Sequence, residues 1–242
     1  MIKKLIRQAI QRCGYRYFKI AYQPIGLDHA YDVARFLGSA KNLRVVFDVG
    51  ANEGQSVEHY VRAFPCAQIY SFEPFAGAYE SLVRRVSNFA RVRTFQLAFA
   101  DTNRAARIQP AALSVQNSLR NELSGNCSSK GGELVVIKTL ESFCAEQDIT
   151  HIDLLKTDTE GFDLEVLKGA EAMLRSHRIQ FIFSEASLRP DDSYHTSFFR
   201  VTEYLSRFGY SFVDLYDHAF VSSVPTRPPL DYCNALFTAW ES

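Results

Sequence analysis

From Leu43 onward, short apolar runs alternate with segments of helical period. Arg44–Gly50 (RVVFDVG) is rich in β-branched residues and predicts a buried strand. Gly54–Phe64 has helical spacing and is stopped by Pro65. The same alternation predicts a strand over Gln68–Glu73, a helix over Phe75–Asn88 and a strand over Val92–Ala100. Two weaker strands follow, Ala106–Gln109 and Leu134–Thr139, and then a short helix over Leu140–Gln147. Ile152–Asp158 is a strand, and Leu164, Val166, Leu167, Ala170 and Leu174 carry a helix over Phe162–Ser176. Ile179–Ser184 is a buried strand, Phe198–Phe208 a helix ended by Gly209, and Ser211–Leu215 and Asn234–Trp240 are late strands.

Such alternation predicts an α/β fold, with a mostly parallel sheet and helices on both faces. The last two strands have no convincing helix between them, which suits an antiparallel edge hairpin joined by the Pro-bearing loop Val224–Leu230. Ser114–Gly132 is polar and rich in Gly, Ser and Asn, the composition of a lid or a mobile loop. Residues 1–40 read as a basic helical extension and 41–242 as one domain.

The 242 residues include 27 Lys+Arg and 27 Asp+Glu, a balance that argues against a nucleic-acid binder held by bulk charge. The charge is uneven, however. Lys3, Lys4, Arg7, Arg12, Arg16 and Lys19 precede the first acid, Asp28; subtracting those six leaves 21 bases against 27 acids in the rest. Met1–Tyr22 has a near-helical apolar period but is too interrupted by charge for a secretory signal. It reads as a helix packed on the domain, or as a basic helix (residues 1–20) in peripheral contact with an anionic inner membrane face. No run of about 18 apolar residues predicts a spanning helix. Cys13, Cys66, Cys127, Cys144 and Cys233 form no CxxC, as expected of free thiols in a reducing cytoplasm.

In an open parallel sheet, ligands bind beyond the carboxyl ends of the strands. The first strand ends in Asp48-Val49-Gly50-Ala51-Asn52-Glu53-Gly54, a tight turn leading to a helix start that favours a carboxylate or phosphate. Glu73, 19 residues after Gly54, ends the second strand and can accept hydrogen bonds from two ribose hydroxyls. Asp101 follows the third strand, Asp158 and Glu160 a later one, and Glu185 the next. This row of acids on one rim points to a nucleoside site. The dinucleotide pattern G-x-G-x-x-G and the P-loop pattern are absent. An acid ending the first strand disfavours a pyrophosphate and suits a cation. S-adenosylmethionine combines an ammonium, a sulfonium, a carboxylate, a ribose and an adenine. Asp48 is placed at its amino-acid end, and the Gly54 helix start at its carboxylate.

DVGANEGQS, YSFEP and LLKTDTEGFDLEVLKGA, in that order, closely resemble the FkbM family of S-adenosylmethionine-dependent methyltransferases, from about Val45 to Tyr210. Asn117-Ser118-Leu119 resembles a serine-containing loop of that family. The resemblance implies a Rossmann-like class I methyltransferase fold with a seven-stranded sheet, and transfer to a hydroxyl oxygen. The acceptors it implies are sugars of glycolipids, lipo-oligosaccharides or polysaccharides, or macrolide-type metabolites. In its short length the chain is similar to members that 2-O-methylate the fucose of nodulation signals. Asp48, Gly50, Ala51, Asn52, Glu53, Gly54, Glu73, Pro74 and Asp101 are assigned to the donor.

A sugar hydroxyl is a weak nucleophile, so a positioned base or a metal should assist. Asp158 is the candidate base, or a metal ligand together with Glu160; Lys156, two residues earlier, can pair with Asp158 and orient it. Glu160 can equally cap the helix that starts at Phe162. Glu185 can orient the acceptor or complete a carboxylate set for Mg²⁺, although no metal ligands are assigned. His195, Tyr194, Phe198 and Phe199 lie near the expected acceptor mouth. Rival classes fare worse. The N-P-P-Y motif of nucleic-acid amino methylases is missing, and Pro65-Cys66 lies far from the acceptor position. A dehydrogenase lacks its glycine pattern, and a non-catalytic scaffold would not need Gly50, Gly54, Glu73, Asp158 and Glu160 together.

Overall fold

Asp28 starts the first helix, α1 (His29–Phe36), by accepting hydrogen bonds from the backbone N–H groups of Ala30 and Tyr31 at 3.0 and 3.2 Å. The chain then alternates β1 (Val45–Val49), α2 (Gln55–Ala63), β2 (Gln68–Phe72), α3 (Ala76–Val86) and β3 (Val92–Phe95). Three strands follow: β4 (Ala98–Phe99), β5 (Arg104–Ile108) and β6 (Glu133–Lys138). After α4 (Leu140–Glu146) and β7 (Ile152–Thr157) come α5 (Asp163–Lys168), α6 (Glu171–Arg175) and β8 (Ile179–Ser187). The last elements are α7 (Phe198–Ser206), β9 (Tyr210–Tyr216) and β10 (Tyr232–Ala239). This computed structural model describes residues 24–108, 132–192, 194–219 and 231–239. The basic segment 1–20, residues 114–131 of the polar loop, and the Pro-bearing loop lie outside the described residues.

Seven strands form the main sheet in the order β3-β2-β1-β7-β8-β10-β9. The pairs β1·β2, β1·β7, β2·β3 and β7·β8 are parallel, and β10 runs antiparallel to both β8 and β9. This is the mostly parallel sheet with an antiparallel edge hairpin that the pattern predicts. Side chains alternate across it. Val46, Ile69, Leu154 and Phe181 pack into one core with α1, α2 and α3 residues; Phe47, Tyr70, Leu155 and Ile182 pack into the other. Among the described residues, no helix is long and apolar enough to cross a membrane.

Two expectations are corrected. The strand predicted over Val92–Ala100 breaks after Phe95, and Ala98–Phe99 pairs with β6 in a separate three-stranded sheet, β4-β6-β5. The helix predicted over Phe162–Ser176 divides at Gly169, which packs so tightly that a Cβ would meet the Ala100 carbonyl oxygen at 2.1 Å. Helix α1 packs on the sheet. Ala30 and Val33 are fully buried, and the Asp32 carboxylate accepts from the Tyr216 hydroxyl at 2.9 Å.

The turn after β1 depends on Gly50. Its φ is +77°, and a Cβ there would meet the Asp158 carbonyl oxygen at 1.8 Å. Gly38 has nearly the same φ, +76°, with nothing within 4 Å of a Cβ. Gly38→Ala should therefore cost only the left-handed backbone penalty, about 1–2 kcal/mol. Gly50→Ala must also push two strand ends apart and should cost about 4 kcal/mol or more. Urea unfolding of the two variants checks this; equal losses would contradict it.

Candidate active site

Pairing register sets the floor of the site. Asp48 on β1 lies opposite Lys156 on β7, and their side chains meet, Lys156 Nζ to Asp48 Oδ1 at 3.1 Å. The same ammonium reaches Asp158 Oδ2 at 3.2 Å, just past the end of β7. Ser56 of α2 donates its hydroxyl to Asp48 at 2.6 Å. Burial works against the Lys156 charge, yet Asp158 and Asp48 together hold the ammonium pKa well above its ordinary value. Lys156 is thus a buried cation shared by two carboxylates.

The next layer is the turn that Gly50 permits. Asn52 takes a left-handed φ of 47° and donates its backbone N–H to Glu73 Oε2 at 3.1 Å. Phe75 donates its own to Glu73 Oε1 at 3.0 Å. Glu73 thereby ties the turn after β1 to the turn after β2. Burial pushes its pKa up to about 7, against the pull of those two N–H groups.

Over this floor opens a cavity of about 380 Å³. One half is lined by Glu73, Pro74, Phe75 and Leu97–Phe99, a carboxylate beside an apolar slot. The other half presents Asp158, Thr159, Glu160, Glu185, Tyr232 and Asn234. A second space of about 520 Å³ lies beyond Gly50 and Asn52, bounded by Ala51, Ser56, His59, Lys156 and Phe183. Gly50, Asn52, Asp158, Asp217 and Asn234 border both spaces, so the two meet around the end of β1. Asn52 Oδ1, Thr159 Oγ1, Glu185 Oε2 and Asn234 Oδ1 are buried without a hydrogen-bond partner among the described residues, and all four residues line the first space. Buried polar atoms left so are costly and mark where a polar ligand would bind.

The polar half is strongly acidic. Glu160, at a left-handed φ of 54°, is pushed up to about 7 by burial, while a hydrogen bond from Tyr194 pulls the other way. Asp163 is pushed up to about 6 by burial and by Asp158; it accepts from the Thr159 N–H at 3.3 Å and the Thr196 hydroxyl at 3.4 Å. Burial, reinforced by Asp158, Asp163 and Glu160, drives Glu185 far above the carboxylate range. His195 joins this group from the segment before α7, its ring stacked on Tyr232 at 4.5 Å.

The crevice brings together Gly50, Ala51, Asn52, Glu73, Pro74, Lys156, Asp158, Glu160 and Glu185. Other expected positions fall elsewhere. Asp48 lies beneath the floor, held by Lys156 and Ser56. Glu53 turns toward Arg85, 3.9 Å away, and Gly54 packs on α3, where a Cβ would meet Leu82 at 2.8 Å. Asp101 is carried off the rim because the chain leaves the main sheet after Phe95; it pairs with Arg104 at 3.5 Å. Glu160 does not cap the following helix, which has no side-chain cap. Phe198 is drawn toward Phe212 and Phe237, with ring centroids at 5.3 and 6.2 Å. Sequence reasoning missed Thr159, Asp217 and Asn234. Tyr232 and Asn234 enter from the start of β10, which reaches the rim because that strand is reversed.

The model of the methyltransferase FkbM domain matches residues 48–212. The chain is similar to the 2-O-methyltransferase NoeI of Sinorhizobium fredii, with 26% identity over 59% of this chain and 63% of that one. It thus spans less than two thirds of that relative's length. It is also 27% identical to the methyltransferase sdnD of Sordaria araneosa, over 62% of this chain and 68% of that one. Among solved structures, M. capricolum TrmK in complex with S-adenosyl-homocysteine superposes with a TM-score of 0.47 and 10% identity, over 87% of this chain and 67% of that one.

Glu73 yields a pH test. Its pKa is about 7 folded against an ordinary 4.5, so between those values the folded protein holds a proton that the unfolded chain has released. Stability contributed by the protonated acid is present below pH 4.5 and lost as pH rises through 7. Urea unfolding of the unliganded protein should show a smaller loss from pH 5 to pH 8 in Glu73→Gln than in wild type, by about 2–3 kcal/mol. An identical loss would contradict this assignment.

Proposed function

The chain belongs to the FkbM methyltransferase family, and from that premise we propose that it is an S-adenosylmethionine-dependent O-methyltransferase whose acceptor is a sugar hydroxyl. One observation carries the reading. A single crevice sets a carboxylate beside an apolar slot, Glu73 with Phe75 and Leu97–Phe99, against a carboxylate cluster at the end of the neighbouring strands. The first half fits a nucleoside. Each Glu73 oxygen holds one backbone N–H and keeps a lone pair for a ribose hydroxyl. Phe75, Leu97 and Phe99 offer an adenine apolar faces, and the unpartnered Asn52 Oδ1 can accept from an ammonium. When bound, the donor supplies a methyl group on a positively charged sulfur.

The chain's own residues then do three things. Glu73 and Asn52 orient the donor. Lys156 holds Asp158 in one place at the mouth of β7, and the Asp158 carboxylate takes the proton of the acceptor hydroxyl. Tyr232, Asn234 and Glu160 bound the space beside Asp158, where a sugar ring can rest on an aromatic face and find hydrogen-bond partners. The 2-O-methyltransferase relative supports oxygen as the nucleophile. Suitable acceptors are a glycolipid, a polysaccharide or a lipo-oligosaccharide such as a fucosylated nodulation signal.

Transfer of labelled methyl to these acceptors is the test. Wild type should methylate a sugar, and Asp158→Ala should lose a factor of about 10²–10⁴ in turnover. Its donor affinity by calorimetry should stay within about threefold, since Lys156 keeps Asp48 as a partner. Wild-type turnover in Asp158→Ala would refute the base assignment; donor binding without transfer to any sugar would refute the acceptor class.

A further inference from the structure

We propose that Glu160, Glu185 and His195 form a three-ligand site for a first-row divalent cation, Mn²⁺ or Zn²⁺. The residues come from the turn after β7, from β8 and from the segment before α7, and the topology converges them on one point. One carboxylate oxygen from each glutamate and one ring nitrogen of His195 lie within 4.8 Å of one another. Metal–ligand bonds of about 2.0–2.2 Å place neighbouring ligands roughly 3–3.5 Å apart, so small side-chain rotations close the set. Two carboxylates with one imidazole match Mn²⁺ and Zn²⁺ better than the all-oxygen surroundings preferred by Mg²⁺.

Two features set this trio apart from a chance cluster of acids. Glu185 is only 7% exposed, and its Oε2, on a side chain lining the crevice, has no hydrogen-bond partner among the described residues. His195 has the support of a metal ligand. Asp192 Oδ2 lies 2.8 Å from Nδ1, and the other oxygen of Asp192 accepts the backbone N–H groups of Tyr194 and His195 at 2.7 and 3.1 Å. A fixed carboxylate on Nδ1 makes that nitrogen the donor and leaves the lone pair on Nε2 for a cation. Glu160 accepts a hydrogen bond from Tyr194, which holds its carboxyl group at this point. Asp158, the other expected ligand, is engaged by Lys156 instead.

Three protein ligands leave coordination positions open toward the crevice. A cation there would take two neighbouring hydroxyl oxygens of a sugar and fix which of them faces Asp158. This last role rests on the acceptor reading above, whereas the binding of the cation does not.

The test uses the full chain, stripped with EDTA, desalted and titrated calorimetrically with MnCl₂ or ZnCl₂ alone. One equivalent should bind. Glu185→Gln and His195→Ala should each weaken binding at least tenfold, and Asp192→Asn by about 10–100-fold, with melting profiles in EDTA confirming that the variants fold. In wild type, electron spin-echo spectra of bound Mn²⁺ should show coupling to an imidazole nitrogen, a readout that needs no variant. Absence of saturable binding, equal binding in all three variants, or no nitrogen coupling would overturn the site. Methyl-donor affinity measured in the same stripped protein separates the two readings, because it depends on Glu73 and Asn52 and not on the cation.

Discussion

One buried cation organises this molecule. Lys156 stands opposite Asp48 across two central strands and also holds Asp158 beyond the strand end. Lys156 and Asp48 are buried and Asp158 is 34% exposed; leaving either buried member without its partner is strongly destabilising, so the pair is fixed and holds Asp158. They also fix the rim. Gly50 allows the turn after β1 to press against the Asp158 carbonyl, and Glu73 ties that turn to the next strand. Among the described residues Lys156 is the buried base, set among the buried acids Asp48, Glu73, Asp163 and Glu185. The crevice is therefore lined by carboxyl groups above a floor that sets one cation against two carboxylates.

The strand order explains why the two halves meet. β1 is central, with β2 on one side and β7 and β8 on the other. The half proposed for the nucleoside is built from the turns after β1 and β2, and the acidic half from the ends of β7 and β8. The reversed strand β10 then brings its first residues to the same rim, adding Tyr232 and Asn234 beside Glu185.

Much of this was legible in the sequence because apolar periodicity locates strands, and in a parallel sheet the strand ends locate the site. Glu73, Lys156, Asp158, Glu160 and Glu185 were all found that way, as was the Lys156–Asp158 pair. Two kinds of information were not local. Strand partners decide whether an acid stays on the rim: Asp101 follows a strand that abandons the main sheet, and Asp48 is covered by a lysine more than a hundred positions later. Strand direction decides which end reaches the rim, so Asn234, on the reversed strand β10, was invisible to a rule about carboxyl ends. Gly50 was recognised as a tight turn, and the close approach of the Asp158 backbone adds a second reason for glycine there.

The account stands on the crevice between Gly50 and Glu73 being a nucleoside site. A crystal structure of the protein grown with S-adenosyl-homocysteine tests this most directly. Density should show the ribose on the Glu73 carboxylate, the adenine against Phe75 and Leu97, and the amino-acid end near Asn52. A crevice that stays empty at saturating ligand, or a nucleoside bound elsewhere on the chain, would contradict it.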